Sequence, residues 1–281
     1  MPNDEVRDIA VDADGNAWVA TAGGISFIRF RGMTLAEKAR YYEDEIDKHH
    51  GRTEFGYVIE AQAAAQGEKT NVHLGDSDND GLWTSMYGAG ECFAYGATKD
   101  PKARRRARHA FRALRFLSEA PRGSRHEPPR GFIARTVLET TSDKNPNSGR
   151  STLESQLRSQ KRDKYWRAYE PRWPKSAEGR YYWKSDTSSD ELDGHYVFYP
   201  LYYDLVAETE EEKSLVREIV RANIDHLIRH DFSMHDHARK TRWAVYGPQD
   251  LNTGCRMACR TRIKLHQHAV VSQRGLSHDR R

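Results

Sequence analysis

Asp76-Ser-Asp78-Asn-Asp80-Gly-Leu-Trp83-Thr-Ser-Met-Tyr87-Gly-Ala-Gly-Glu91 and Tyr181-Tyr-Trp183-Lys184-Ser-Asp186-Thr-Ser-Ser-Asp190-Glu191-Leu-Asp-Gly-His195-Tyr-Val-Phe-Tyr199 follow one pattern. Each begins as a loop crowded with carboxylates and Trp. Each then passes straight into an amphipathic helix that carries Tyr, Glu or His in its first turns. Aromatic faces can stack on sugar rings, and carboxylates, His and Tyr can bind hydroxyls or move protons. Two such loops at two helix starts predict one shared concave site. They can face one rim only if their helices run parallel, so in an antiparallel array they must be alternate helices.

The rest of the chain supplies such an array. Thr34-Leu-Ala-Glu37 is a capping box that predicts a helix to about His50. Residues 57–66 read as a short Ala-rich helix, and Asp80 as the cap of a helix through about Thr98. Asp100-Pro101 sets an N-cap before Pro at the first helical position, with a helix to about Glu119. Its apolar face is Ala103, Ala107, Ala110, Phe111, Leu114 and Leu117 at steps of three and four. The arginines between them read as a solvated basic face rather than a nucleic-acid patch. Ser188-Ser-Asp-Glu191 is a second capping box, opening a helix to about Ala207 that Pro200 should kink. Thr209-Glu-Glu-Glu212 caps a last helix with Leu215, Val216, Ile219, Val220, Leu227 and Ile228 on its core side. Short loops at 98–101 and 207–210 predict antiparallel helical hairpins.

Outside this array the signals change. Residues 6–30 alternate apolar and polar around an Asp14-Gly15 and a Gly23-Gly24 turn, which predicts short hairpin strands. Residues 139–180 are poor in aliphatics and read as a long loop or insertion. Residues 253–281 show no caps and no apolar stripe, and read as a disordered tail. With 281 residues and a net charge of +4, the chain has room for one large or two small domains and no strong field for nucleic acid. No apolar run is long enough for membrane insertion. The first residues carry no signal peptide, and localisation is left open. Cys92, Cys255 and Cys259 make no disulfide framework, and Cys255-x-x-x-Cys259 lacks a second metal-ligating pair. Asp76-x-Asp78-x-Asp80-Gly81 matches the start of a calcium loop, but Tyr87 stands where a bidentate Glu is required. The bulk reading is no cofactor and no metal, with a looser calcium site as the variant.

Two resemblances sharpen these expectations. Val6-Arg-Asp-Ile-Ala-Val-Asp-Ala-Asp-Gly-Asn-Ala-Trp18-Val-Ala-Thr-Ala-Gly-Gly-Ile25 resembles the two-component-regulator type of β-propeller repeat. Asp78–Tyr87, Thr98–Ala103, Gly131–Arg135, Trp183–His195, Leu201–Ala207 and Thr241–Trp243 resemble bacterial proteins in which such repeats precede an α/α toroid. Toroids of that kind occur in polysaccharide lyases and glycoside hydrolases. The resemblance implies a mainly α fold: antiparallel hairpins forming a partial toroid over residues 33–252, after a propeller-repeat remnant at 1–32. About half the helices of a full toroid are expected, with the chain truncated at both ends and an intact parent secreted or periplasmic. The function implied is that of a carbohydrate-active domain derived from a polysaccharide lyase acting on a uronate-containing glycan, an acidic polysaccharide or oligosaccharide. In that scheme His195, Tyr199 and Tyr87 are catalytic, and Trp83 and Trp183 stack on sugars. Arg135, Lys184 and Arg242 hold carboxylates, while Asp80, Asp186 and Glu191 bind hydroxyls or orient His195. A hydrolase would instead use Asp80, Asp186, Asp190 and Glu191 as acid and base pairs. The alternatives are a non-catalytic glycan or ligand sensor and a fragment inactive by itself.

Overall fold

The structure, a computed structural model, describes residues 1–65, 68–76, 78–141, 145–163, 166–239 and 243–248. The expected tail at 253–281, with Cys255 and Cys259, and the candidate Arg242 lie outside the described residues. The chain divides into two compact units, residues 1–52 with 58–75, and residues 53–57 with 76 onward. This division differs from the boundary near residue 32 read from the sequence, because the first helix groups with the strands.

In the first unit, β1 (Val6–Val11), β2 (Ala17–Thr21) and β3 (Gly24–Ile28) form an antiparallel sheet in the order β1-β2-β3. The Asp12 carboxylate closes the first turn by accepting from the backbone N–H groups of Asp14 and Asn16. Gly15 takes the left-handed conformation that glycine tolerates there, at φ +81°. Trp18 sits opposite Phe27, their rings 4.4 Å apart. The helix α1 (Leu35–His49) opens with the expected reciprocal cap between Thr34 and Glu37. The Ala-rich stretch forms no helix: Gln62–Ala63 pairs antiparallel with Val72–His73. A segment that short cannot repay the cost of helix nucleation without packing.

The second unit is mainly helical. It holds α2 (Asp80–Thr98), α3 (Pro101–Glu119), α4 (Leu153–Arg162), α5 (Ser189–Leu205) and α6 (Glu210–Arg229). The α2–α3 hairpin turns at Lys99, which is left-handed, and at Asp100, which caps Lys102 at 2.8 Å. The predicted face of α3 is buried, and Phe111 stacks on Tyr202 of α5 at 4.5 Å. The opposite face is less solvated than its charge suggests. Arg106 lies nearly buried, 3.7 Å from the Glu91 carboxylate. The reciprocal cap at Thr209 and Glu212 opens α6 as expected.

α2 and α5 pack along their length and run in the same direction. Gly81 faces Glu191 and His195, Gly88 faces Phe198, and Gly96 faces Leu205. A Cβ on Gly88 would stand 2.6 Å from the Phe198 ring and 2.8 Å from Ala110. Glycine there lets two helix backbones come close. Pro200 lies inside α5, which continues to Leu205.

The stretch 139–180, expected as a loop or insertion, holds α4 and contributes to the core. Val137–Glu139 pairs antiparallel with Tyr181–Trp183. Gln156 of α4 is fully buried, donates to the Tyr169 carbonyl and accepts from its N–H. Tyr169 and Trp173 are buried with it. The segment is anchored by aromatic and amide groups, so a search for aliphatic periodicity passes over it.

Candidate functional site

Arg135 brings the two loops together. Its Nε donates to the Asp78 carbonyl at 2.9 Å and its Nη1 to the Asp186 carbonyl at 3.3 Å. Both acceptor residues are left-handed, at φ +65° and +64°. A non-glycine residue in that region is strained and persists where its surroundings hold it. Lys184 ties the loops a second time, its ammonium donating to Asp76 at 2.8 Å and also to Asp78. Burial raises the Asp78 carboxyl, but Lys184 and Arg135 outweigh it and hold the group below its ordinary value.

Helix α2 starts without the cap read from its sequence. Asn79 occupies the cap position and makes no side-chain capping bond. Asp80 is the first helical residue, fully buried, and its carboxylate accepts from the Thr136 hydroxyl. Nor does Ser188 close a capping box with Glu191. The Glu191 Oε2 instead accepts from the Leu82 N–H at 3.0 Å, on the neighbouring helix. Burial drives the Glu191 carboxyl well above its ordinary value, against the pull of Arg135 and the Leu82 N–H, with Asp190 and Asp80 adding repulsion.

His195 lies one turn further in and is closed off from solvent. Its Nδ1 pairs with the Tyr199 hydroxyl at 2.9 Å. Its Nε2 and the Glu191 Oε1 have no hydrogen-bond partner among the described residues. A Cβ placed on Gly81 would stand 2.6 Å from Glu191 Oε2 and 2.9 Å from His195 Nε2, so both face the same small space. Burial lowers the His195 pKa to about 3 and raises that of Tyr199, leaving both neutral at ordinary pH.

Asp186 is held inside. Arg172 donates to its Oδ2 at 2.9 Å and the Tyr169 hydroxyl to its Oδ1 at 3.2 Å. Burial is the stronger influence and raises its pKa despite Arg172 and Arg135.

The structure therefore gathers Asp80, Arg135, Lys184, Asp186, Glu191 and His195 around the joint N-terminal end of α2 and α5. Several occupy other positions than a substrate scheme requires. Trp183 has no exposed surface, and its ring lies against Phe132 and His237 at 5.8 and 5.7 Å between centroids. It is a core residue and offers no face to a sugar. Lys184 and Arg135 are engaged by Asp76, Asp78 and backbone carbonyls rather than turned toward a ligand carboxylate. Asp186 binds Arg172 and Tyr169 where hydroxyl binding was expected, and Tyr199 is buried. Trp83 and Tyr87 remain half-buried. A residue absent from the candidate set, Trp243, is 44% exposed and bridges to Ser188 at the start of α5. In the sequence it stands within Thr241–Trp243, a segment that carries the resemblance without a binding role assigned to its Trp.

Asp76, Asp78 and Asp80 do not converge as a calcium loop, since the first two bind Lys184 and the third faces Thr136. Among the described residues, no group of three or more His, Cys, Asp or Glu is arranged to hold a metal ion. No helix among them is long and apolar enough to cross a membrane. Comparison of the chain with protein-family models, with curated proteins and with solved structures returns no match.

Proposed function

We propose that the second unit is a non-catalytic glycan-binding module of carbohydrate-active descent, a partial α/α toroid with its binding rim at the joint N-terminal end of α2 and α5. The observation that carries this reading is how the candidate groups are engaged. The groups a lyase needs are turned inward: His195 is sealed, and Lys184 and Arg135 are neutralised by their own loops. The groups that binding needs face outward: Trp243 is exposed, Trp83 is half-exposed, and the exposed Asp190 presents a carboxylate that accepts from sugar hydroxyls. The parallel run of α2 and α5, each followed by its own hairpin partner, supports the toroid assignment. The first unit's three-stranded sheet is consistent with a propeller-repeat remnant.

A second reading, a lyase on a uronate-containing glycan, is favoured by one detail. His195 Nε2 and Glu191 Oε1 are polar, buried and without partners among the described residues, with Tyr199 on the far nitrogen of the ring. A neutral His is already in the form of a general base. Exposure of that pocket would be required.

The test is a tryptophan-fluorescence titration with oligogalacturonate and with neutral gluco- and xylo-oligosaccharides, while absorbance of unsaturated uronate is followed. The expected result is saturable binding without new chromophore, weakened about ten-fold by Trp243→Ala, about the size of one lost stacking contact. New chromophore that disappears in His195→Gln would replace this reading with the lyase. Absence of binding to every sugar would sink both.

A further inference from the structure

Away from the rim, the outer side of α6 and the C-terminal half of α3 border a groove that neither loop motif uses. One part, of about 390 Å³, is lined by Arg130, Arg217, Arg221 and Arg229. It joins a second part, of about 260 Å³, through Glu218 and Ala222, and there Arg115 and Arg122 form the far wall. The floor is aliphatic: Ile133, Leu215, Ile219 and Ala222. Three acids, Glu119, Glu218 and Asp225, share the lining with six arginines, so the groove carries excess positive charge. Some of that charge is already paired. Arg115 meets Glu119 at 2.6 Å, Arg130 meets Glu218 at 3.5 Å, Arg229 meets Asp225 at 3.4 Å, and Arg217 pairs with Glu210 and donates to the Tyr203 hydroxyl. These pairs are solvent-exposed, and such pairs exchange readily for another carboxylate at little cost.

We propose that this groove docks an amphipathic protein helix with an apolar stripe flanked by Glu or Asp. The shape and chemistry point to that occupant. Gly131 and Ala222 keep the floor low: a Cβ on Gly131 would fall 2.0 Å from the Ala222 carbonyl oxygen. A trough of small and aliphatic residues between two helical walls accepts a third helix laid along it. One wall, α6, places Arg217 and Arg221 about one helical turn apart and Arg229 about two turns beyond them. Guanidinium groups bind carboxylates in a two-pronged geometry that lysine does not offer. A sugar chain fits less well, because no aromatic side chain lines the groove among the described residues and its neutral polar groups are two serines, Ser118 and Ser214. The proposal is independent of the glycan rim.

The test is fluorescence anisotropy of the full chain with a labelled synthetic helix of roughly 20 residues, long enough to span about 30 Å, carrying a Leu stripe flanked by Glu. Controls are the same helix with Lys for Glu, and polygalacturonate as a competitor. Arg122→Glu and Arg221→Glu lie on opposite walls and are surface changes, with circular dichroism verifying the fold. The expected result is saturable binding of the Glu helix, weakened at least ten-fold in the double variant, with the Lys helix bound at least ten-fold more weakly. Equal binding of the two helices, or no loss in the double variant, overturns the proposal. Binding of polygalacturonate that depends on the same arginines, with none of the Glu helix, overturns it in favour of a glycan groove.

Discussion

The Glu191 carboxylate, in the first turn of α5, accepts a hydrogen bond from the Leu82 N–H in the first turn of α2 at 3.0 Å. One helix thus supplies the cap of another. The first N–H groups of a helix have no partner within it, and an acid is favoured at that positive end. Because α2 and α5 run parallel, a carboxylate in the first turn of α5 stands beside the start of α2. Beside it, Arg135 and Lys184 fasten the two acidic loops together.

Replacement of Glu191 separates its roles as acceptor and as acid. Glu191→Ala leaves the part-buried Leu82 N–H without its acceptor and should cost about 1 kcal/mol, read as a lower urea midpoint. Glu191→Gln keeps an acceptor. Because the folded-state pKa of Glu191 is raised, its contribution is fully present below the ordinary value near 4.5 and is lost as pH rises through the folded value. The Gln variant should therefore gain relative to wild type between about pH 5 and pH 8. A relative loss on going to pH 8 would mean the fold prefers the ionised carboxylate.

Three glycines of α2 should respond with different signs. Gly81→Ala and Gly88→Ala place a Cβ 2.6 Å from Glu191 and from Phe198 respectively, and overpacking of this kind costs roughly 1–3 kcal/mol. Gly90 faces open space, so Gly90→Ala should stabilise by about 0.5–1 kcal/mol through helix propensity. Thermal denaturation of the three variants side by side gives the comparison. Similar behaviour of all three would contradict the close packing of α2 on α5.

Acid should weaken the fold before it protonates ordinary carboxylates. Burial lowers His195 to about 3, His226 to about 4 and His237 to about 4. Groups depressed in the folded state contribute stability above the unfolded value near 6.5, and that contribution is lost as pH falls toward the folded values. For His195 alone the slope is up to about 1.4 kcal/mol per pH unit. The raised carboxyls of Glu191 and Asp186 act in the opposite sense between the ordinary carboxylate value and their folded values, so the histidine contribution is read from the difference between wild type and His195→Gln. Urea midpoints measured from about pH 8 down to pH 5 should fall, and less steeply in His195→Gln. An unchanged slope in that variant would show that His195 is accessible to protons.

The pair Arg172 and Asp186 should be costly to break from one side. Arg172→Leu leaves a buried carboxylate without its cation, an effect of about 3–5 kcal/mol. The double variant Arg172→Leu with Asp186→Leu should recover much of that loss, as a double-mutant cycle in urea would register. A double variant no better than Arg172→Leu would mean that Asp186 is needed for more than charge balance.

The helices of the second unit were legible in the sequence because their signals are local. The Asp100-Pro101 start, the Thr209-to-Glu212 cap and the three-and-four spacing along α3 each act within one or two turns. The parallel direction of α2 and α5 also followed, from where their polar loops stand. The tertiary structure decided what those loops do. Glu191 lies three residues from Ser188, at capping-box spacing, yet the close approach at Gly81 gives it a better donor on another helix. Trp183 and His195 carry the residue types of a sugar site, but burial covers the one and seals the other. Lys184 and Arg135 are cations in the sequence and crossbars in the fold, because residues 76 and 78 fall beside them only after α2 and α5 have packed. Residue type and spacing set the helices; long-range neighbours, which determine dielectric, partners and exposure, set the chemistry of each side chain.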